Sequence, residues 1–206
     1  MIYLIITTSI NNKYGIIDYE NRKNRYLECI KSALNLIENM DIKPIIVENN
    51  GVANTYLDEL KCDVIHTDNN SLKFIHKGIN ELADIKHIIS LYNIGDDDII
   101  MKLTGRYKML NNSFIKLELS NMNNYDAFVK FFNVCTLKYM DNDCILGLFA
   151  VKCKYLKQFY YKGKRKSPEV EFATHIRRTI QKNRIMEVID LNLECVFSDN
   201  LRVLNC

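Results

Sequence analysis

Three consecutive stretches decide the fold: IYLIITT (residues 2–8), RKNRYLECIKSALNLIENM (22–40) and PIIVENNG (44–51). The first is a run of apolar, β-branched residues closed by small polar ones, the pattern of a buried strand that ends in a loop. The second repeats apolar residues at helical spacing, with Tyr26, Ile30, Ala33, Leu34 and Ile37 on one face. In the third, Pro44 restarts the chain into a strand over 45–48, and Asn49, Asn50 and Gly51 form the turn behind it. Strand, helix, strand is the unit of a parallel sheet, because parallel neighbours need a long crossover.

The rhythm continues outward. A short helix around 55–60 leads to a strand over 63–67, closed by Asp68, Asn69 and Asn70. Ser71 can cap a helix whose apolar face is Leu72, Ile75, Ile79 and Leu82, and Gly95 leads into a strand over 99–103. Beyond residue 110 the rhythm changes. Strands over 126–132 and 145–151 have no helix between them long enough for a parallel crossover, so one runs antiparallel to the rest. A helical block over 168–184 and an apolar segment over 188–193 complete the chain. The expectation is one α/β domain, a mostly parallel sheet with helices on both faces and an antiparallel strand in the second half. Residues 1–110 form a nucleotide-binding half and 111–206 an acceptor half.

Composition narrows the function. With 48% hydrophobic and 26% charged residues the chain is globular. No run reaches the roughly 20 apolar residues of a membrane span, and the opening segment lacks the basic flank of a secretory signal. Seven cysteines without a CxxC pair read as reduced thiols, so the expected location is the cytoplasm. A net charge of +3 is too small to require a nucleic-acid partner. Glycine-rich phosphate loops, G-x-S-x-G elbows and dinucleotide fingerprints are absent.

In an open parallel sheet, ligands bind beyond the carboxyl ends of the strands. That rule gathers Thr7, Thr8 and Ser9, Glu48 to Gly51, Asp68 to Asn70, and Thr104 to Tyr107 on one rim. It sends Asp96, Asp97 and Asp98 to the opposite rim, although they spell Asp-x-Asp. Lys102 and Thr104 share a strand face, Gly105 permits close backbone approach, and Arg106 offers a planar fork for phosphate oxygens or for a buried salt bridge.

The segments IITTSI (5–10), IIVENNG (45–51), TDNN (67–70) with HKGINEL (76–82), DDDIIMKLTGRY (96–107), DCILGLFAVKCKYLKQF (143–159) and SPEVEFATHIRR (167–178) carry a further signal. In this order they resemble the small glycosyltransferase domains of large DNA viruses and of bacterial surface-polysaccharide clusters, the chlorovirus rhamnosyltransferase domain among them. The resemblance implies a GT-A fold, a nucleotide-diphosphate-sugar donor with UDP preferred, L-rhamnose as one candidate sugar, a glycan acceptor, and a divalent cation, manganese or magnesium. A viral source would place it in the host cytoplasm. The chain departs from the pattern where Thr104-Gly105-Arg106 stands in place of the Asp-x-Asp that usually ends the fourth strand.

The donor-binding candidates are therefore Thr7, Thr8, Ser9, Glu48, Asn49, Asn69, Lys77, Lys102, Thr104 and Arg106. Lys77, beside Gly78, reads as a phosphate contact or an exposed helix lysine; Arg22 and Arg25 reach the nucleotide or the solvent. Asp141-Asn142-Asp143 is a second Asp-x-Asp, and Asp141 and Asp143 are metal candidates if the strand after them begins on the active rim; a polar surface turn looks the same. Glu169 and Glu171 follow Ser167-Pro168 in a helix's first turn, where the dipole favours carboxylates. An inverting transferase also needs a carboxylate base there, and likeness to related transferases puts Glu171 first and Glu169 second.

Two rival readings remain. Residues 152–166 interleave seven basic residues with Tyr155, Phe159, Tyr160 and Tyr161, a pattern that binds single-stranded nucleic acid or coats a solvated surface. A sugar-1-phosphate nucleotidyltransferase shares the layout, but usually has a glycine-rich loop where this chain has TTSINNKYG (7–15).

Overall fold

The computed structural model describes residues 1–11, 18–71, 77–131, 143–162, 167–196 and 202–206, with Lys77 by its backbone alone. In chain order the elements are β1 (Ile2–Thr8), α1 (Tyr19–Ile37), β2 (Ile42–Glu48), β3 (Asp63–His66), α2 (Lys77–Leu91), β4 (Ile99–Thr104), β5 (Lys108–Met109), α3 (Ser113–Asn121), β6 (Ala127–Val129), β7 (Leu148–Lys152), α4 (Cys153–Gln158), α5 (Pro168–Thr179), β8 (Ile185–Glu187), β9 (Leu193–Val196) and β10 (Val203–Asn205). Seven strands make the main sheet in the order β3-β2-β1-β4-β7-β6-β8. β1 pairs parallel with both β2 and β4, whereas β7 runs antiparallel to β4 and β6. The sheet is mostly parallel with one reversed strand in the second half, and the fold is α/β as the sequence indicates.

Side-chain alternation along β1 builds two cores. Leu4 and Ile6 point to the face covered by Tyr26, Ile30 and Ala33 of α1 and Phe114 and Ile115 of α3. Tyr3 and Ile5 point to the other face, against Ile85, Ile88 and Ile89 of α2 and Phe172, Ala173 and Ile176 of α5. All seven β1 residues are buried, which is why this strand reads as a continuous apolar run. Asp18 caps α1 by accepting from the Asn21 amide, and Ser167 accepts from the Val170 amide to start α5.

Several boundaries differ from the sequence reading. β2 begins at Ile42 and so contains Pro44. β3 pairs with β2 only from Ile45 onward, so Pro44 sits where one flank of β2 has no ladder to break. The C-terminal helical block is α5 up to Thr179 followed by a 3-10 turn at Lys182–Arg184, and 188–193 is buried at Val188, Leu191 and Leu193 through packing. A second antiparallel sheet, β10-β9-β5, is not foreseen.

The start of β4 lies on the rim opposite the strand carboxyl ends, and the acidic run is there. Asp98 binds the Met1 amino group at 2.7 Å, and Asp96 pairs with Lys157 at 2.6 Å. Asp97 lies 3.6 Å from Lys154, and Lys152 bridges Asp126 at 3.1 Å. Lys152, Lys154 and Lys157 are thus compensated by carboxylates, which removes much of the positive field on which the nucleic-acid reading rests. Residues 163–166 of that segment lie outside the described residues. Among the described residues no helix is long and apolar enough to cross a membrane.

Candidate active site

The carboxyl ends of β1, β2 and β4 meet α1 and α2 in a cleft lined by Thr7, Thr8, Ser9, Arg22, Tyr26, Asn49, Asn70, Asn80, Glu81 and Arg106. Gly105 lets it form. The Gly105 amide donates to Thr7 O at 2.9 Å, and a Cβ there would meet Thr8 Cγ2 at 2.8 Å and Thr7 O at 3.1 Å. The end of β4 is thereby seated against the end of β1, and Arg106 emerges beside Thr7 and Thr8. Its Nε donates to Val196 O at 2.9 Å, and its guanidinium lies 5.0 Å from the centre of the Tyr107 ring. Gly105→Ala should destabilise the protein by about 1–3 kcal/mol through overpacking, measured by urea unfolding.

Among the described residues, three buried oxygens in this cleft have no hydrogen-bond partner: Thr7 Oγ1, Asn49 Oδ1 and Asn80 Oδ1. Leaving a buried polar atom unpaired costs about 1–3 kcal/mol. Three converging on one place therefore mark where a ligand's polar groups belong.

Asp84, on α2 and fully buried, orients part of the rim. It accepts from Asn49 Nδ2 at 2.9 Å, Thr67 Oγ1 at 2.7 Å and Asn69 Nδ2 at 2.7 Å. Holding the Asn49 amide nitrogen leaves the Asn49 carbonyl as the group without a partner. Burial pushes the Asp84 carboxyl up to about 6, against those three hydrogen bonds, which act to lower it. The native state therefore keeps a proton that the unfolded chain releases near 3.8. The contribution of this group to stability is full below that value and is lost as pH rises to about 6. Wild-type stability should fall relative to Asp84→Asn by about 2 kcal/mol between pH 4 and 6, read from paired urea titrations.

The ten donor candidates divide by position. Thr7, Thr8, Ser9, Asn49 and Arg106 line the cleft. Glu48 is fully buried and shapes the loops from behind: its carboxylate accepts from the Thr8 hydroxyl at 2.5 Å and from the amides of Ile10 and Asn50 at 3.1 and 3.2 Å. Asn69 is held by Asp84. Lys102 has its three protons directed to Glu81 Oε2 at 2.6 Å, Thr104 Oγ1 at 2.5 Å and Leu146 O at 2.7 Å. Burial pulls its ammonium below the ordinary lysine range, with Glu81 opposing. Lys102 and Thr104 thus brace the β4 end. The Lys77 side chain lies outside the described residues.

Glu171 accepts from the Lys162 amide at 2.7 Å and faces a separate groove with Phe159, Tyr160, His175 and Arg178. Glu169 is near enough to Lys102 for its charge to act on that ammonium. Pro168 packs on Gly78, where a Cβ would meet the proline ring at 2.9 Å, so the start of α5 adjoins the start of α2. Asp143 is buried just before the β7 segment, and Asp141 lies outside the described residues. Among the described residues no group of three or more His, Cys, Asp or Glu side chains is placed to hold a metal ion.

The sequence reading puts Asn70 on the rim without naming it a donor contact, and misses Tyr26, Asn80, Glu81 and Asp84. Their signal is a break in pattern: Asn80 and Asp84 stand four apart in phase with buried Ile88, polar residues on the apolar stripe of α2. Arg22 donates to Ser9 O from Nε at 2.9 Å and to the Tyr26 hydroxyl at 3.1 Å. Arg25 donates to Arg106 O at 3.0 Å and pairs with Glu194 at 2.7 Å, so it supports the cleft from behind. Roomier grooves occur elsewhere, about 470 Å³ around Leu34 and Leu60 and about 370 Å³ around Phe159 and His175, but among the described residues no buried unpartnered polar atom lines either. The strand-end cleft is small, with about 20 Å³ of water-accessible space among the described residues.

The sequence matches no protein-family model, and no curated protein is significantly similar to it. Solved structures do share its fold. A putative nucleotide-diphospho-sugar transferase from Desulfovibrio desulfuricans G20 aligns with a TM-score of 0.57 at 10% identity, over 90% of this chain and 78% of the other. A putative glucose-1-phosphate thymidylyltransferase from Bacillus anthracis aligns at 0.54 and 9%, over 91% and 86%. The galactosyltransferase LgtC, solved with donor and acceptor sugar analogues, aligns at 0.50 and 9%, over 93% and 86%. At these identities the likeness shows the fold: a GT-A-like sheet common to glycosyl and nucleotidyl transferases.

Proposed function

We propose that this chain is a glycosyltransferase that moves a sugar from a nucleotide-diphosphate donor to a hydroxyl of a glycan acceptor. The observation that carries the reading is the convergence of Thr7 Oγ1, Asn49 Oδ1 and Asn80 Oδ1, buried and without partners, with Arg106 and Arg22 at the strand ends. The oxygens suit hydroxyl and N–H groups of a nucleotide sugar, and the guanidiniums suit its phosphates. A UDP-linked donor is preferred over a dTDP-linked one, with L-rhamnose a candidate sugar. Residues 1–110 hold the donor and 111–206 the acceptor.

The reaction is a one-step inverting displacement. The acceptor oxygen forms a bond to the sugar's anomeric carbon as the bond from that carbon to the diphosphate oxygen breaks, and the electron pair stays on the diphosphate. A carboxylate at the start of α5 takes the acceptor's proton. Family likeness puts Glu171 first; we prefer Glu169, whose charge acts on Lys102, because the Glu171 carboxylate accepts from the Lys162 amide.

The fold likeness to a thymidylyltransferase supports a second reading, a nucleotidyltransferase that joins a nucleoside triphosphate to a sugar phosphate. Product analysis separates the two. With UDP- and dTDP-sugars and a glycan mixture, a glycosyltransferase releases nucleoside diphosphate and inverts the anomeric centre. Pyrophosphate released from a nucleoside triphosphate and a sugar 1-phosphate would establish the second reading, and a retained anomeric configuration would end the one-step mechanism.

A further inference from the structure

The resemblance brings a divalent cation with it, and the described residues of the cleft do not suit one. Magnesium and manganese are hard ions that take oxygen ligands, ordinarily with one or two carboxylates among them. Among the described residues three carboxylates adjoin the cleft, and Asp68 stands exposed further along the rim, against Gly51. Glu48 is enclosed by the Thr8 hydroxyl and the Ile10 and Asn50 amides, Asp84 by Asn49, Thr67 and Asn69, and Glu81 is paired with Lys102. The buried oxygens without a partner among the described residues, on Thr7, Asn49 and Asn80, are neutral. Two guanidiniums, those of Arg22 and Arg106, line the same narrow cleft, and the buried Lys102 ammonium stands behind it. A dication there would face like charge, and the three carboxylates beside it are already engaged by hydrogen bonds or by Lys102.

The residues at the end of β4 give the same answer. Gly105 is seated against Thr7 and Thr8 with no room for a side chain, and the next residue brings a fixed positive charge where a metal-holding strand end would bring a negative one. Arg106 is held from two sides, by Val196 O at its Nε and by Arg25 at its carbonyl. A cation positioned in this way meets developing phosphate charge without reorganising.

We propose that Arg106, with the charge of Arg22 beside it, takes the place of the divalent cation, so that this chain binds its donor and releases the diphosphate without metal. The proposal rests on the donor-site reading above. When the bond from the anomeric carbon to the diphosphate oxygen breaks, the extra negative charge falls on the β-phosphate, and the Arg106 guanidinium opposes it while the acceptor's proton leaves to the α5 carboxylate.

Calorimetric titration of the full chain with UDP and with dTDP, in EDTA and separately in manganese chloride, tests it. The expected result is binding in EDTA within about threefold of that in manganese, weakened by at least tenfold in Arg106→Gln and partly restored in Arg106→Lys, with all proteins compared by thermal unfolding. Binding that appears only with manganese, or tightens more than tenfold with it, would overturn the proposal and leave the transferase reading intact. Failure of either nucleotide to bind in both media would overturn that reading and this proposal together.

Discussion

Arg106→Ala should lower kcat/KM for the nucleotide-sugar donor by about 10²- to 10³-fold, with donor binding and turnover both affected. The diphosphate is charged before reaction and gains charge as the sugar leaves, so a guanidinium that faces it acts in the ground state and more strongly in the transition state. The substitution also removes the bond to Val196 O and the stacking on Tyr107, so unfolding must be measured alongside. Arg106→Lys keeps the charge and loses the planar fork, and should recover part of the activity. A folded Arg106→Ala protein with unchanged kinetics would place the diphosphate elsewhere.

Glu169→Gln should lower kcat by about 10²- to 10⁴-fold while leaving nucleotide binding close to that of the wild type, because a general base acts on the acceptor and not on the donor. Glu171→Gln should have a much smaller effect, since its carboxylate is bound to the Lys162 amide and faces another groove. A loss confined to Glu171→Gln would return the role to the residue that the family resemblance favours. Near-normal turnover in both variants would remove α5 from the chemistry and direct attention to Asp143, buried ahead of β7.

The first half of the fold is legible because its signals are physical extremes. β1, β2 and β4 are buried on both faces and so are almost uninterrupted apolar runs, and α1 keeps a single apolar stripe. The second half is harder. β6 falls inside the strand expected over 126–132, but β8 is three residues, too short for any period to register, and α3 follows Asn112, which makes no side-chain cap. β5, β9 and β10 are fixed by pairing with one another across the chain, information that local sequence does not hold.

The site shows the same division. The rule that ligands meet strand carboxyl ends finds Thr7, Thr8, Ser9, Asn49 and Arg106, because each follows its strand directly. It cannot tell a residue that faces the cleft from one that braces it, and so it admits Glu48, Asn69, Lys102 and Thr104 on equal terms. That distinction depends on partners distant in sequence: Asp84 for Asn69, Glu81 for Lys102, and the Ile10 amide for Glu48. Asn80, Glu81 and Asp84 come from the helix after β3, where the rule does not look.

A crystal structure of the chain with a bound nucleoside diphosphate examines the site most directly. The diphosphate should lie within hydrogen-bond reach of Arg106 and Ser9, with Thr7 Oγ1 or the Asn49 or Asn80 carbonyl bonded to the nucleotide sugar and Asp84 still holding the Asn49 amide. A nucleotide seated in the groove of Phe159, His175 and Arg178, or on the rim of Asp96 to Asp98, with the strand-end oxygens still unpaired, would contradict it.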